Sequence, residues 1–279
     1  MGREGEIGAA YDAQMRVATW NVNSVTARLD RLLEWLGTAQ PDVLALQELK
    51  CTDEAFPGPA IRALGYDIAT WGTGRWNGVA LLSRVGLTDV QVGLPDGPAF
   101  EAAIEPRAIA ATCGGVRLWS VYVPNGREID HPHYAYKLRW LDRLTEVIGA
   151  ELAARPLMPL AVIGDFNIAP TDEDVWDIGV FANATHVSPA ERDRLGDLES
   201  LGLIDRRPRS PKGPPFTFWD YRNGAFHRGW GMRIDLIVGN AAFDSLVRDC
   251  YVDRDARKGK GASDHAPVVV DLDSIPEGS

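Results

Sequence analysis

Short apolar runs recur along this chain, and each is too brief to be a packed helix. Val17–Trp20, Val43–Leu46, Gly78–Leu82, Arg117–Val123, Leu160–Ile163, Ile234–Val238 and Ala266–Leu272 are four to seven residues long and rich in Val, Ile, Leu and Ala. Runs of this length and composition are the pattern of buried strands. Between some of them the period becomes helical. Residues 25–36 carry Leu29, Leu32, Leu33 and Leu36 on one stripe, and residues 138–152 repeat Leu138, Leu141, Leu144, Ile148 and Leu152 at steps of three and four. Ser188-Pro189-Ala190-Glu191 has the form of a capping box with proline at the first helical position, and predicts a helix running toward Leu201. No short-period repeat, low-complexity linker or break in composition divides the chain. An α/β architecture follows, with strands from both halves of the chain building a shared core. The expected organisation is a loose extension over residues 1–14 and one domain over 15–279, with Met15 a candidate alternative start.

The way the runs end is as informative as the runs themselves. Val17–Trp20 leads into Asn21 and Asn23, Val43–Leu46 into Glu48, Val121-Tyr122-Val123 into Asn125, and Ala161-Val162-Ile163 into Asp165 and Asn167. Asp235 sits inside the run 234–238, and Asp264-His265 directly precedes the last one. One such ending is a turn; six are strand ends converging on a polar pocket at one edge of packed sheets. If the chain stays extended past Ile163, Asp165 and Asn167 share a face; a turn built on Gly164, Asp165 and Asn167 is the competing reading. The pocket's inventory is carboxylates and carboxamides with one imidazole, His265, and one phenol, Tyr122. Such an oxygen-rich set suits a hard cation such as Mg²⁺ or Mn²⁺ rather than zinc. Hard metal, activated water and an imidazole point together to phosphoryl chemistry, most simply phosphodiester hydrolysis.

The formal charge of −10 and the pI of about 5.0 argue, taken as totals, against a nucleic-acid partner. Distribution qualifies this. Basic residues bunch in RRPRSPK (206–212) and RDARKGK (254–260), which read either as solvated loops or as parts of a basic surface. No apolar stretch approaches the roughly 20 residues a bilayer requires. MGREGEIGAAYDAQ lacks the apolar centre of a secretory signal, and Glu6 stands where a myristoylation motif has Ser or Thr. Cys51, Cys113 and Cys250 are odd in number and widely spaced, which fits neither a disulfide framework nor a zinc site. A cytoplasmic protein with structural thiols is expected, at the nucleoid if the source is bacterial.

TWNVNS (19–24), LQELK (46–50), GVALLSR (78–84), VYVPNG (121–126), GDFNIAPTD (164–172), FTFWDYR (216–222), RIDLI (233–237) and SDHAP (263–267) stand in that order across nearly the whole chain. This set resembles the endonuclease/exonuclease/phosphatase superfamily and, within it, the exonuclease III-type apurinic/apyrimidinic endonucleases. GDFN and SDH are shared widely there, whereas FTFWDYR, VYVPNG and LQELK belong to the DNA-repair branch. The resemblance implies a four-layer α/β sandwich, two mixed β-sheets packed face to face with flanking helices. It implies that Glu48 holds a divalent metal, with Asn21, Asp264, Asp165 and Asn167 around the ion. Asp165 would activate the attacking water, and Asn167 would position water and scissile phosphate. His265 would contact a phosphate oxygen, oriented by Asp235, with Tyr122 near the same phosphate. Asn23, Asn125 and Arg127 would stand on the DNA side. On the residues alone, Asp235 could instead pair with Arg233, His265 could be a satisfied strand-end histidine, and Tyr122 a core-edge aromatic.

Specificity is expected from 216–234, FTFWDYRNGAFHRGWGMRI, which is rich in aromatic and basic residues. It reads either as a small core under a loop or as a pocket for an extruded, baseless sugar. By resemblance Phe218 and Ile234 line that pocket, with Trp230 or Met232 as the third wall. Trp219 would lie on the DNA surface, and Arg222 and Arg228 would contact the backbone. The expected activity is metal-dependent cleavage 5′ to abasic sites with 3′–5′ exonuclease and 3′-phosphatase activity, using Mg²⁺ or Mn²⁺. The expected partner is double-stranded DNA with abasic sites or damaged 3′ ends, bound by a monomer and without a membrane. An RNA 3′-exonuclease is the alternative phosphoesterase. A catalytically silent nucleic-acid-binding relative would require losses among Glu48, Asp165, Asn167 and His265, and all four are present.

Overall fold

The apolar runs all fold as strands, their bounds shifted by one or two residues. The computed structural model describes residues 14–273, so the extension expected over 1–14 lies almost wholly outside the described residues. The first half of the chain forms β1 (Met15–Asn21), α1 (Leu29–Ala39), β2 (Val43–Gln47), α2 (Gly58–Arg62), β3 (Asp67–Trp71), β4 (Val79–Ser83), β5 (Thr88–Val92), β6 (Ala108–Cys113) and β7 (Val116–Tyr122). The second half forms α3 (Pro132–Ala154), β8 (Leu160–Asp165), α4 (Pro189–Ser200), β9 (Ile204–Asp205), α5 (Ala225–Arg228), β10 (Asp235–Gly239), α6 (Ala241–Asp244), β11 (Val247–Val252) and β12 (Val268–Leu272).

Two six-stranded mixed sheets result, in the orders β11-β12-β1-β2-β4-β3 and β5-β6-β7-β8-β10-β9. Each has one parallel pair at its centre, β1 with β2 and β7 with β8. Three apolar layers hold the assembly together. Val17, Val43, Ala45 and Leu81 of the first sheet meet Leu118, Ala161, Ile163 and Ile237 of the second between the sheets. Trp20, Leu44 and Leu46 pack outward with Leu32, Trp35 and Leu36 of α1. Trp119 and Val162 pack outward with Tyr136, Trp140, Leu141, Leu144 and Ile148 of α3 and with Leu195 and Leu198 of α4. This is the four-layer α/β sandwich expected from the sequence.

The helix signals hold, with two shifts at their starts. α1 begins at Leu29 rather than Val25, because Asn23 and Ser24 take φ of 46° and 87° and the backbone of Ser24 and Val25 binds the carbonyls of Glu48 and Leu49. α3 begins at Pro132, where His131 caps the N–H of His133 and proline takes the first helical position. At α4 the capping box forms as expected: the Ser188 hydroxyl accepts from the Glu191 N–H and the Glu191 carboxylate from the Ser188 N–H. Cys51, Cys113 and Cys250 are buried free thiols. Among the described residues no helix is long and apolar enough to cross a membrane.

The period of two along the strands also places the polar residues. On β1, Val17 faces the second sheet, and Thr19 and Asn21 follow it on the same side. On β2 the matching series is Val43, Ala45, Gln47; on β7, Leu118, Ser120, Tyr122; on β8, Ala161, Ile163, Asp165; on β10, Ile237 then Asp235. Every series turns from apolar to polar at the same end. The change begins with a buried trio, in which the Gln47 amide donates to Thr19 Oγ1 at 3.0 Å and to Ser120 Oγ at 3.1 Å. In the second sheet the register sets Asp165 beside Tyr122 on one side and Asp235 on the other. Gly164, just before it, has φ +146°, and a Cβ there would lie 2.0 Å from the Val121 carbonyl oxygen, so no side chain fits.

Candidate active site

At the polar end of the inter-sheet layer, Asn21 links the two sheets. Its Nδ2 donates to Glu48 Oε1 and to Asp165 Oδ2, both at 2.9 Å. Its Oδ1 accepts the Asn23 N–H at 3.0 Å. Lys50 Nζ stands 2.8 Å from Glu48 Oε2 and donates to Asn23 Oδ1 at 2.5 Å. Burial would raise the Glu48 carboxyl, but Lys50, the bond from Asn21 and His265 outweigh it and hold its pKa below the usual carboxylate range. Glu48 and Asn167 adopt φ of 54° and 50°, left-handed conformations that cost free energy in a residue with a side chain.

Asp235 does not pair with Arg233. Arg233 is taken by Asp174 and Asp205, the Asp174 contact at 2.8 Å, and Asp235 Oδ2 lies 2.8 Å from His265 Nδ1. The other ring nitrogen, Nε2, lies 3.9 Å from Asp165 Oδ2. Burial would lower the His265 pKa, but Asp235, Asp165 and Asp264 hold it up at about 10, so the ring is an imidazolium at neutral pH. Burial, Asp235 and Glu48 push the Asp165 carboxyl up to about 7 against the pull of His265 and Asn21. Tyr122 is raised well above its ordinary value by burial and by Glu48 despite Arg107, and stays a phenol. With a folded pKa of about 10 against an unfolded value of 6.5, His265 contributes stability that is full below 6.5 and lost as pH rises through 10. Asp235→Asn is therefore expected to lower the pKa of the His265 ring and to shrink this alkaline loss. An NMR titration of the imidazole checks it, and an unmoved midpoint would remove Asp235 as the cause.

The strand does not stay extended at Asp165. The chain turns there, with the Asn167 N–H donating to Asp165 Oδ1 at 2.9 Å, so the face-sharing expected of Asp165 and Asn167 does not hold. Turn and site are the same structure, since this bond fixes one oxygen of Asp165 and leaves the other toward Asn21 and His265. The Asn167 side chain points to a separate corner. Its Nδ2 donates to the Val123 carbonyl at 3.0 Å and its Oδ1 accepts from Asn125 Nδ2 at 3.1 Å. His186 completes the corner, with Nε2 at 3.2 Å from Asn125 Nδ2 and Nδ1 at 2.9 Å from Thr185 Oγ1. Burial and Lys137 lower the His186 pKa to about 4, so the ring is neutral. Nothing in NATHVSP marks His186 in the sequence, because its partner Asn125 lies 61 positions away.

Beside His265 opens a cleft of about 420 Å³ lined by Phe218, Met232, Trp176, Trp230 and Phe181. The Phe218 ring lies 4.9 Å from the His265 ring, and Trp176 stacks on Trp230 at 4.8 Å. Met232 and Trp230 both line the cleft, so the sequence alternatives are both walls. Ile234 is 2% exposed and belongs to the apolar cluster behind the cleft, not to its lining. Trp219, expected on a DNA surface, is buried with Phe216, Ala225, Val252 and Ala266. The reason is alternation: Phe218 bridges Met232 and His265 on the cleft side, so the next side chain turns inward. Arg228 lies over Trp230 at 4.5 Å, Arg222 is held by Asp220 at 2.6 Å, and Arg127 bonds His131 at 3.1 Å. Of the first basic bunch, Arg206, Arg207 and Arg209 pair with Asp244, Asp174 and Asp249. Trp76 is 74% exposed on the loop whose Asn77 carbonyl accepts the Lys50 N–H, a site-side aromatic that no sequence pattern singles out.

Glu48, Asp165 and His265 bring one ligand-type atom each within 4.8 Å of one another. The imidazolium is the odd member, because a protonated ring has no lone pair for a metal. The carboxylates of Glu48 and Asp165 remain, an all-oxygen pair that fits a hard divalent cation. The other residues that the resemblance places around the ion are engaged with protein partners. Asn21 turns its NH₂ to the carboxylates, Asn167 turns its amide to Asn125, and Asp264 Oδ1 receives Asn23 Nδ2 at 3.0 Å.

The chain is similar over most of its length to known proteins. Exodeoxyribonuclease III of Haemophilus influenzae is 29% identical over 265 residues, covering 91% of this chain and 98% of that protein. The structure of a 3′ phosphatase, NExo, from Neisseria bound to a product DNA hairpin superposes with a TM-score of 0.87 at 38% identity, covering 93% of this chain and 99% of that one. An AP endonuclease structure from Archaeoglobus fulgidus gives 0.85 at 33% identity, covering 94% and 100%. The profile of the Endonuclease/Exonuclease/phosphatase family matches residues 18–265, and with the sandwich and its polar edge in place, this chain belongs to that family.

Proposed function

We propose that this chain is a DNA-repair phosphodiesterase that hydrolyses backbone phosphoesters 5′ to abasic sites and at damaged or recessed 3′ ends. The observation that carries the reading is the placement of two carboxylates, Glu48 and Asp165, opposite a protonated His265 at the mouth of an aromatic cleft. Asp165, aimed by the Asn167 N–H and facing His265 Nε2, is suited to take the proton of an attacking water. His265, held by Asp235, donates from Nε2 to a phosphate oxygen as charge builds there. Tyr122 stays protonated beside it and offers a further donor. Glu48 and Asp165 would hold a divalent cation, Mg²⁺ or Mn²⁺, which when bound offsets the negative charge of the reacting phosphate. Asn23, Asn125, Arg127, Arg222, Arg228 and Trp76 are the groups we assign to the DNA. Phosphate contacts supply affinity without reading sequence, which suits a substrate defined by damage. The cleft of Phe218, Trp230 and Met232 accepts a sugar that carries no base, or the terminal nucleotide of a strand.

End-labelled duplexes with an abasic analogue, a recessed 3′ hydroxyl or a 3′ phosphate, assayed with and without Mg²⁺, test this reading. Metal-dependent processing of these DNA substrates is expected, and their relative rates rank the activities. Inertness toward all three, or faster release from RNA 3′ ends, would overturn it.

A further inference from the structure

Behind the Asn125–Asn167 corner, α3 and α4 bury an ion pair that the chemistry above does not use. The side chains of Lys137 and Glu191 are both 0% exposed, with Nζ 2.5 Å from Oε1. The ammonium also donates to the main chain, to the Asn167 carbonyl at 2.7 Å and the Asn125 carbonyl at 3.4 Å. Glu191 in turn accepts the N–H of His186 at 3.0 Å and the Ser188 hydroxyl at 2.6 Å. One charged pair therefore fixes the peptides of three residues whose side chains bond one another. Two of them, Asn167 and His186, have φ of 50° and 78°, conformations that persist only where the surroundings over-determine them.

As a stabilising device the pair is a poor choice, since a buried ion pair is often no better than apolar side chains of the same volume. Trp140, Leu144, Leu195 and Leu198 already supply apolar packing between these helices and the sheet. What leucines would not supply is a donor aimed at the Asn167 carbonyl. That residue matters because its own N–H grips Asp165 Oδ1 and so sets the direction of the carboxylate.

We propose that Lys137, held by Glu191, is a positioning residue for Asp165: it locks the Asn167 turn in its left-handed form, and the turn aims the Asp165 carboxylate. The proposal rests on the reading of Asp165 as the proton acceptor given above. Lys137→Met alone leaves a buried, unpaired Glu191, and is expected to lower the Tm by on the order of 10 °C. The informative variant is Lys137→Met/Glu191→Gln, which removes both charges and keeps an acceptor for the α4 cap. It is expected to melt nearer the parent than Lys137→Met does and to bind abasic DNA as tightly. Its single-turnover rate is expected to fall by about 10²-fold, the scale of a misplacement of about 1 Å. Adding Asp165→Asn to this pair is expected to cost little more than Asp165→Asn alone, because both changes disable the same group. A parental rate in the double variant, or full additivity in the triple, overturns the positioning role and leaves the site reading intact. A parental rate for Asp165→Asn alone overturns that reading, and the positioning role with it.

Discussion

Asp165→Asn cleaves DNA about 10²–10⁴-fold more slowly than the parent while binding it no less tightly: that is the expected result, the factor being what loss of a general base typically costs. At about 1.36 kcal/mol per decade, it corresponds to about 3–5 kcal/mol of transition-state stabilisation. The substitution keeps the shape of the strand end, since an asparagine carbonyl still accepts the Asn167 N–H that Asp165 accepts at 2.9 Å. It sets an NH₂ against the NH₂ of Asn21, which now donates to Asp165 Oδ2, so that bond is lost. Folding is not expected to suffer, because burial beside Asp235 and Glu48 already makes the negative form of Asp165 costly. A gel-shift affinity and a single-turnover rate on the same abasic duplex decide the matter. A near-parental rate would assign proton acceptance to another group.

The second large effect is on the cation requirement. Chelation is expected to abolish cleavage, and Mg²⁺ or Mn²⁺ to restore it. In Glu48→Ala the metal concentration for half-maximal rate is expected to rise by more than the roughly 10–100-fold that loss of an outer partner costs. The site is economical: among the described residues Glu48 and Asp165 are the carboxylates that close on one point with His265, and Glu48 is held ionised by Lys50. Lys50 should lose its carboxylate partner in the same variant, and its ammonium, still bonded to Asn23, partly replaces the missing positive charge. The titration is therefore more diagnostic than the rate at saturating metal. An unchanged metal curve would show that Glu48 is not a ligand.

β3, β6 and β11 were passed over, β6 although it is buried, whereas seven other strands were legible because each carries a run rich in Val, Ile, Leu and Ala, and so were the polar residues at their ends. β5, TDVQV, was not, since its residues are mostly exposed and half polar. β9 is two residues long and exists only because β10 offers it a partner. The pairing of Asp235 with His265 could not be read from RIDLI, where Arg233 is the nearer charge, because it joins the two sheets: Asp235 opens β10 of one and His265 precedes β12 of the other. Trp219 misled because an aromatic in a loop reads as surface, whereas the bridge at Phe218 turns it inward. Lys137 was invisible for a simpler reason. A lysine on a helix is ordinarily solvated, and only the packing of α4 over it makes its burial possible.

Asn21 comes from one sheet and Asp165 from the other, and their separation is set by the layer between the sheets, which is apolar except for the Gln47 trio. The active site is therefore a gauge of how the two halves of the sandwich slide. A change deep in that layer, such as a lost methylene at Leu118 or Ile163, shifts the sheets by a fraction of an ångström without exposing anything to water. The fold absorbs such a shift at small cost, but the hydrogen bond across the seam has no slack to absorb it. Catalysis in this architecture is mechanically the most brittle property of the molecule, and it should fail under heat or core substitution while the sheets themselves are still intact.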